Sequence, residues 1–204
     1  MHTVARHVVR AAAATISLVV VVVAAPLLAQ SAPGAGKSAA SATPAQFQSG
    51  PLYAGPRLWL GNLNGAIAIG GQAERGFTQP GAFGPGIIAG GVGVDWYSWS
   101  QSFGAAGVHG EYKYTVVPVQ LFGNYHFPIE SNKKIDPYLG VALVYSHYST
   151  SWNGTFTAPA NASASTTAFA GQGGVRYFVS DKMAVQGQVG FGYGTLGLGA
   201  TWRF

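Results

Sequence analysis

Cysteine is absent from the sequence, and charged residues are scarce. Without cysteine the chain has no thiolate to bind a metal ion, and its five histidines are dispersed, so we expect no metal site. Charged residues make up 8% of the 204 positions, whereas about a quarter is usual in a soluble domain. A surface covered by water would need more charge, so the composition argues against an ordinary soluble domain.

Signatures of nucleotide, cofactor and nucleic-acid binding are also missing. The glycine pairs do not form a Walker or dinucleotide-binding motif, and we expect no cofactor. Among the basic residues only Lys133 and Lys134 are adjacent, and such scattered charge forms no stripe that could grip phosphates. The high calculated pI therefore does not indicate a nucleic-acid partner.

Glycine and aromatic residues are abundant instead. The chain has 30 glycines, and 13% of its residues are aromatic. Together with the low charge, this composition favours a β-rich protein whose exterior is not in water.

The N-terminus has the layout of a secretory signal peptide. A basic segment containing Arg6 and Arg10 precedes the apolar run 11–28, and Ala29 is a small residue at a plausible cleavage point. An uncleaved single-span anchor is the alternative, because the run just reaches the length that spans a membrane. Removal of residues 1–29 leaves 9 basic against 6 acidic residues, a net charge of +3.

The segment 30–56 is rich in Ala, Ser, Gly and Pro. Such a segment cannot bury enough apolar area to offset its ordering entropy, so we predict a flexible leader. The domain organisation is then a signal peptide at 1–29, this leader at 30–56, and one folded domain at 57–204.

From Arg57 onward apolar residues recur at every second position, which is the strand signal. In MAVQGQVGFGY, Val185 and Val189 share one face, whereas Gln186 and Gln188 share the other. The polar face carries Gln, Gly, Ser and Thr with very little Lys or Glu, which suits a narrow lumen better than a water-washed exterior. A sheet whose apolar face meets lipid must close, because an open edge leaves backbone groups unpaired at several kcal/mol each.

Eight strands are predicted, because Asn64-Gly65 between apolar runs is a strong hairpin signal and divides the stretch 57–76. The predicted strands are 57–63, 66–76, 86–100, 111–127, 137–152, 165–179, 183–193 and 195–204. The fold class is therefore all-β, an eight-stranded antiparallel up-and-down transmembrane β-barrel with both ends in the periplasm. The longer loops, 101–110 and 153–164, are expected outside the cell. The first strand is shorter than the roughly 9–11 residues that span a bilayer.

The C-terminal stretch LGLGATWRF alternates apolar residues and ends on an aromatic one. It resembles the last strand of small eight-stranded outer-membrane barrels of the OmpA-barrel, OmpX and opacity-protein type, and the resemblance extends over 57–204. This likeness implies the outer membrane of a Gram-negative-type bacterium, surrounding outer-membrane lipid, and a barrel-assembly machinery that reads the last strand. The residues that fit this assembly signal are Leu196, Leu198, Ala200, Trp202 and Phe204.

The alternation also directs charges inward, into a barrel just wide enough for side chains. Buried charges need partners, so we expect ion pairs and glutamine hydrogen bonds that fill the lumen; a gated proton or ion path is the alternative. The predicted interior network consists of Glu74, Asp95, Arg176, Arg203, Gln172, Gln186 and Gln188, and Arg57 is expected to join it.

Two features lie near the predicted outer rim. His147 and Ser149 share the outward face of one strand and resemble the His-x-Ser pair of lipid A deacylase barrels, although the asparagine-rich continuation of that motif is absent. Aromatic residues also collect near the outer ends of the strands, and we interpret them as an interfacial belt, with a ligand-stacking patch as the alternative. These aromatic residues are Trp96, Tyr97, Trp99, Tyr145, Tyr148 and Trp152.

We therefore expect a non-enzymatic outer-membrane barrel. Its outer loops, 101–110 and 153–164, would contact an extracellular partner in an adhesin- or opacity-like role, or the barrel would brace the membrane. Three alternatives stay open: an outer-leaflet lipid-modifying enzyme using His147 and Ser149, a small-solute channel, and a soluble secreted lipocalin-like binder. The fold alone does not choose between them, because barrels host unrelated functions.

Overall fold

A computed structural model describes residues 47–105, 108–155 and 162–204. The predicted signal peptide, 1–29, and the predicted leader as far as residue 46 lie outside the described residues. No helix in the described part of the chain is long and apolar enough to cross a membrane.

Eight antiparallel strands form one closed barrel in sequence order, and the last strand pairs with the first. This pairing confirms the predicted fold class. The strands are β1 (Leu52–Leu60), β2 (Ala68–Gly76), β3 (Ile87–Ala105), β4 (Val108–His126), β5 (Ile135–Gly154), β6 (Ser163–Phe178), β7 (Met183–Phe191) and β8 (Leu196–Arg203).

The first strand begins earlier than the sequence indicated. β1 starts at Leu52 and has nine residues, so it reaches the length of a membrane-spanning strand and includes the end of the predicted leader. Arg57 is a mid-strand residue, and Pro56 is accommodated within the strand. The Asn64-Gly65 hairpin between β1 and β2 is present, with Asn64 and Gly65 both at positive φ.

The outward face of the barrel is apolar. On β5 and β7, Leu139, Val141 and Val189 are each more than 60% exposed, and Phe169 on β6 is 82% exposed. The inward positions of the same strands hold buried Gln172, Gln186 and Gln188 among others. Exposed apolar area of this extent around a closed sheet is stable in acyl chains but not in water, so the barrel is a transmembrane one.

The four central strands are much longer than the others. β3 pairs with β2 only as far as Trp96 and then continues for nine residues, to Ala105. At about 3.3 Å per residue, this extension projects roughly 30 Å along the strand. We name the extended sheet the hood. It consists of 97–105 on β3, 108–116 on β4, 148–154 on β5 and 163–164 on β6, joined by continuous strand pairing.

The prediction that 101–110 and 153–164 are loops is wrong for the parts that belong to the hood. Most of 101–110 and the start of 153–164 belong to β3, β4 and β5. The described connections on the outer side of the barrel body are short, at 61–67 and 192–195. On the periplasmic side the connections lie at 77–86, 127–134 and 179–182, close to the predicted turns.

Candidate functional site: the packed lumen and the outer hood

A buried cluster of four ionisable side chains lies in the periplasmic half of the lumen. Arg176 on β6 donates from Nη2 to Glu74 Oε2 at 2.6 Å, and its Nη1 lies 4.0 Å from Asp136 Oδ2. His126 on β4 bridges both carboxylates, with Nε2 3.1 Å from Glu74 and Nδ1 2.9 Å from Asp136. The cluster therefore joins side chains from β2, β4 and β6, which are not adjacent in the barrel, and from β5, which lies between β4 and β6.

The geometry defines the charge state of this cluster. Carboxylates only accept hydrogen bonds, so a ring with a carboxylate at each nitrogen must donate from both, and only the imidazolium can do so. His126 is therefore positively charged. Two carboxylates, one guanidinium and one imidazolium then sum to zero, which is the balance that buried charges require.

Aromatic rings close this cluster from the periplasmic side. Phe47, which lay in the predicted leader, is 4% exposed and stacks face to face on His126 with ring centroids 3.8 Å apart. The guanidinium carbon of Arg176 lies 5.2 Å from the Phe47 ring centre and 5.6 Å from that of Tyr53. A cation over a ring face is attracted by the ring quadrupole, so these rings stabilise guanidinium donors that lack an acceptor.

Residues 47–50 are fastened to the barrel mouth. The backbone N–H of Gln48 donates to Tyr53 Oη at 2.9 Å, and Gly50 N–H donates to the carbonyl of Gly76 at 3.2 Å. Arg203 is half-buried at this mouth, where its Nη1 donates to Gln48 Oε1 at 3.2 Å. Arg203 therefore contacts the segment 47–50 at the mouth of the barrel, and not the ion pairs deeper in the lumen.

A second ion pair lies nearer the outer side. Arg57 on β1 donates from Nε and Nη2 to both oxygens of Asp95 on β3, at 2.9 and 2.8 Å. Such a two-pronged contact matches the planar guanidinium to the planar carboxylate. Gln72 accepts from Arg57 at 3.3 Å and donates to Gln186 at 3.1 Å, which links β1, β2, β3 and β7 across the lumen.

The remaining predicted interior residues also lie in the lumen. Gln172 donates to Asn124 at 2.8 Å, and Gln188 accepts from Tyr138 at 2.6 Å. The sequence analysis did not identify the charge of His126, which lies in the predicted strand 111–127, and it missed Asp136, which lies between the predicted strands 111–127 and 137–152. The inward alternation of β5, with Asp136 two residues before inward Tyr138, was the signal that could have found it.

The outer end of the lumen is closed by an apolar cap. Trp59, Leu63, Tyr97, Val116 and Tyr193 are all under 10% exposed and belong to one cluster. Burial raises the pKa of the Tyr193 phenol, and the nearby carboxylate of Asp95 raises it further. The Tyr193 hydroxyl therefore stays protonated. Side chains therefore fill the lumen at both ends and in the middle.

The polarity of the two sheet faces inverts where the hood begins. Below this level, β3 presents Trp96 to lipid and Asp95 to the lumen. Above it, the outward positions on β3 become Ser98 and Ser100, and the inward positions become Tyr97 and Trp99. The back of the hood is therefore hydroxyl-rich, as expected in water, and its inner face is aromatic.

Six aromatic side chains form a continuous ladder on this inner face. Ring centroids are 5.8 Å apart for Tyr97 and Trp99, 4.9 Å for Trp99 and Tyr114, and 4.7 Å for Tyr112 and Trp152. The sixth residue, Tyr148, packs against the apolar cap. All except Tyr97 are half-buried, so each ring contacts its neighbours and keeps part of its surface open.

The interpretation of the aromatic residues as an interfacial belt is thus wrong for most of them. Trp96 and Tyr145 occupy outward positions, as a belt requires, whereas Tyr97, Trp99, Tyr148 and Trp152 face inward. These six residues belong to β3 and β5. β4 lies between them and contributes two tyrosines that sequence reasoning did not include in the group.

Trp152 occupies a special position at the top of the ladder. A Cβ added to Gly110 or to Gly154 would collide with the indole ring of Trp152. These two glycines face each other across β4 and β5, so the indole lies across a cross-strand pair that has no side chains. The ring therefore occupies the space that a side chain at either glycine would fill, and it is partly exposed.

His147 and Ser149 lie on the outward face of β5, at the outer rim, and both are exposed. His147 Nδ1 lies 3.2 Å from Ser165 Oγ on β6, and Tyr145 Oη donates to the same hydroxyl at 2.9 Å. The serine in contact with His147 is thus Ser165. Glu111, a carboxylate on the outer side of the barrel, accepts from Ser100 at 2.8 Å on the back of the hood.

The predicted assembly residues lie on the outward side of β8. Leu196, Leu198 and Trp202 are between 38% and 44% exposed, and Phe204 is 77% exposed. Phe204 exchanges two backbone hydrogen bonds with Leu52, at 2.9 and 3.3 Å. The last residue therefore takes part in closing the barrel.

The fold, the apolar exterior and the packed lumen together define the class of protein: a small eight-stranded transmembrane β-barrel. No family model matches the sequence, and no curated protein matches it. Among solved structures, the chain is similar to the N-terminal β-barrel domain of Pseudomonas aeruginosa OprF. The identity is 13%, with 76% of this chain and 98% of that one covered, and the TM-score is 0.48.

Ail, the attachment invasion locus protein of Yersinia pestis, is also similar. The identity is 14%, with 77% of this chain and 100% of that one covered, and the TM-score is 0.44. A structure of Ail in complex with the heparin analogue sucrose octasulfate gives 14% identity and a TM-score of 0.38, with 76% of this chain and 97% of that one covered. These likenesses concern the fold.

Proposed function

We propose that this chain is a non-conducting, non-enzymatic barrel of the outer membrane of a Gram-negative-type bacterium, and that its hood is a surface for interaction outside the cell. Export would follow the signal peptide, and assembly would follow recognition of the last strand by the barrel-assembly machinery. The observation that carries the proposal is the inverted polarity of the hood, whose aromatic face has no role in crossing the membrane.

The packed lumen supports the non-conducting part of the proposal. Arg176, Glu74 and Asp95 are at most 1% exposed and paired, and Tyr53 and Leu63 are equally buried nearer the two ends. Ion flow would require breaking these pairs and moving the rings. The purified full-length barrel should therefore give no conductance steps in planar bilayers, and regular steps would refute this part.

The rim contacts support a non-enzymatic role. A serine nucleophile needs a base in hydrogen-bond reach and a third group that orients the base. The His147 imidazole contacts Ser165. The outer carboxylate Glu111, however, accepts a hydrogen bond from Ser100 and does not orient this imidazole. Outer membranes containing the unaltered protein and its His147→Ala variant should have the same acyl-chain composition; acyl release that depends on His147 would contradict the proposal.

A shortened hood tests the interaction role directly. In this variant a two-residue Asn-Gly turn replaces residues 100–113, and a second such turn replaces 150–162, which leaves every strand of the barrel body intact. We expect a folded barrel whose gel mobility shifts on boiling, on cells that no longer attach to the surfaces bound by cells with the full chain. Equal attachment of both cell types to glycan-coated, matrix-coated and bacterial surfaces would refute the proposal.

A further inference from the structure

We propose that the hood binds the inverted hood of a second copy of this chain on a facing membrane, and that the two hoods together close an eight-stranded cylinder. This inference rests on the proposed function, because it names the partner of the same surface. The binding elements are the two free edges of the hood, which run along 97–105 on β3 and 163–169 on β6.

The first argument is that both edges of the hood are unpaired. β2 pairs with β3 only as far as Trp96, and β7 pairs with β6 only as far as Gly171. Among the described residues, no strand pairs with 97–105 on the side away from β4, or with 163–169 on the side away from β5. A row of unpaired backbone donors and acceptors is a template for another strand.

The alternation of hydrogen bonds identifies the backbone groups that point to each free edge. Phe77 N–H donates to the carbonyl of Ile88 on β3, and Phe178 N–H on β6 donates to the carbonyl of Lys134. Ile88 therefore faces β2, and Phe178 faces the β5 side. Every second residue of an antiparallel strand faces the same neighbour, so even residues of β3 and odd residues of β6 face the free edges. These residues are Ser98, Ser100, Ser102 and Gly104 on β3, and Ser163, Ser165 and Thr167 on β6.

Neither free edge carries the features that usually prevent strand addition. Native edge strands are blunted by charged side chains, proline or bulges. In contrast, 97–105 and 163–169 contain no proline and no acidic or basic residue. Both segments also pair with their inner neighbours without an extra residue on either strand. The two edges are therefore regular and open to pairing.

The second argument is that the hood is complementary to an inverted copy of itself. The hood contains four of the eight strands, so it covers about half of the cylinder. A two-fold axis perpendicular to the barrel axis supplies the other half. Each β3 then lies antiparallel to the partner's β3, and each β6 lies antiparallel to the partner's β6. The contact is isologous, as in most dimers, and closure removes both free edges.

The position of the edges requires the second copy to stand on a facing membrane. A strand added to β3 lies directly above the end of β2, and a strand added to β6 lies above the end of β7. An upright copy in the same membrane would have to place its own barrel body where β2 and β7 already lie. An inverted copy enters from above, so that only its hood occupies this space.

The third argument is the polarity of the two faces of the hood. The inner face carries Tyr97, Trp99 and Tyr114 and has no acidic or basic residue at any described position, whereas Glu111 and Lys113 lie on the back. Two paired hoods enclose both inner faces and leave both hydroxyl-rich backs in water. Apolar area that two copies remove from water favours their association.

The test uses the full chain, in which the absence of cysteine makes each introduced thiol unique. Two vesicle populations carry the barrel with different epitope tags, and a short bis-maleimide is added after mixing. A residue near a two-fold axis faces its own copy, so at least one of Ser98→Cys, Ser100→Cys and Ser102→Cys should give a dimer that carries both tags. Ser151→Cys, exposed on the back of β5 away from the edges, is the matched control and should give none.

A proline variant tests the edge itself. The Ser102 N–H points to the free edge, so Ser102→Pro removes a donor that β4 does not use. Vesicles that carry the unaltered chain should aggregate, as measured by light scattering. Ser102→Pro should slow this aggregation about tenfold or more, because a symmetric contact loses two hydrogen bonds. Ser102→Thr keeps the N–H and should aggregate normally, and the boiling-dependent gel shift verifies that each variant is folded.

Four outcomes would overturn the proposal. These are no aggregation of vesicles that carry the unaltered chain, equal cross-linking by Ser151→Cys and the edge variants, dimers that carry only one kind of tag, and equal aggregation by Ser102→Pro and Ser102→Thr. If vesicles fail to aggregate while cells with the shortened hood still lose attachment to glycan or matrix surfaces, the interaction role stands and the assignment of a second copy falls.

Discussion

Replacement of Arg176 by methionine tests the charge balance of the lumen. Methionine keeps most of the stem volume but removes the donor to Glu74 and the positive charge near Asp136, so two buried carboxylates share the single charge of His126. Removal of one partner of a buried ion pair costs about 3–5 kcal/mol. With a slope of about 2 kcal/mol per molar urea, the unfolding midpoint in lipid vesicles should fall by roughly 2 M.

Glu74→Gln is the matched comparison, and it should cost less. Without the Glu74 charge, the cluster holds two cations and one carboxylate, and His126 restores neutrality by releasing a proton. In Arg176→Met the excess charge is negative, so release of a proton cannot restore neutrality at neutral pH. Its defect should shrink as the pH falls, because a protonated carboxyl group no longer needs a cation.

Urea unfolding at pH 5 and pH 8, followed by the boiling-dependent gel shift and tryptophan fluorescence, measures these effects. The reasoning is refuted if Arg176→Met unfolds within about 1 kcal/mol of the unaltered protein, the scale of a surface pair. Equal losses for the two variants at both pH values would also refute it, since the charge count would then not control stability.

Three further predictions concern other parts of the barrel. Phe47→Ala should lower the free energy of unfolding by about 3 kcal/mol, the cost of a truncated core ring, and a loss near zero in urea unfolding would show that the entering chain is not anchored. Gly93→Val should disrupt the barrel, because a Cβ there collides with the Arg57 guanidinium. In contrast, Gly123→Val should fold normally, since its outward Cβ has no neighbour within 3.8 Å; a gel shift compares the two. Deletion of Phe204 should leave unassembled precursor in cells, visible as a protease-sensitive band, and unchanged assembly would contradict the terminal signal.

The barrel itself could be predicted from the sequence, because the alternation of apolar and polar residues that produces it is local and repeats in each strand. Alternation with a period of two fixes which side chains face lipid, and Asn64-Gly65 fixes the strand count. The start of β1 was not predictable in this way, because Pro56 and Gly55 resemble a leader. Their strand conformation depends on pairing with β2 and β8, which lie far away in sequence.

The pairing of the buried charges was harder to predict from the sequence than their inward direction. Alternation pointed Glu74, Asp95 and Arg176 inward, but which carboxylate meets which cation depends on the stagger of the strands around the barrel. That stagger brings Arg176 to Glu74 rather than to Asp95. Phe47 had no periodic pattern around it, so only the folded mouth reveals its contact with the imidazolium.

The ladder divides into two parts with different physical roles. Tyr97 is 6% exposed and contacts Tyr193 in the apolar cap, so burial of its ring stabilises the barrel in proportion to the area removed from water. Trp152 lies two same-face rows above Tyr97 and is not part of the cap. Its ring contacts Tyr112 within the hood. A strand tip in water is more soluble with serine or threonine, as the back of the hood shows. The aromatic character that persists to the tip is the feature on which the proposed interaction role of the hood depends.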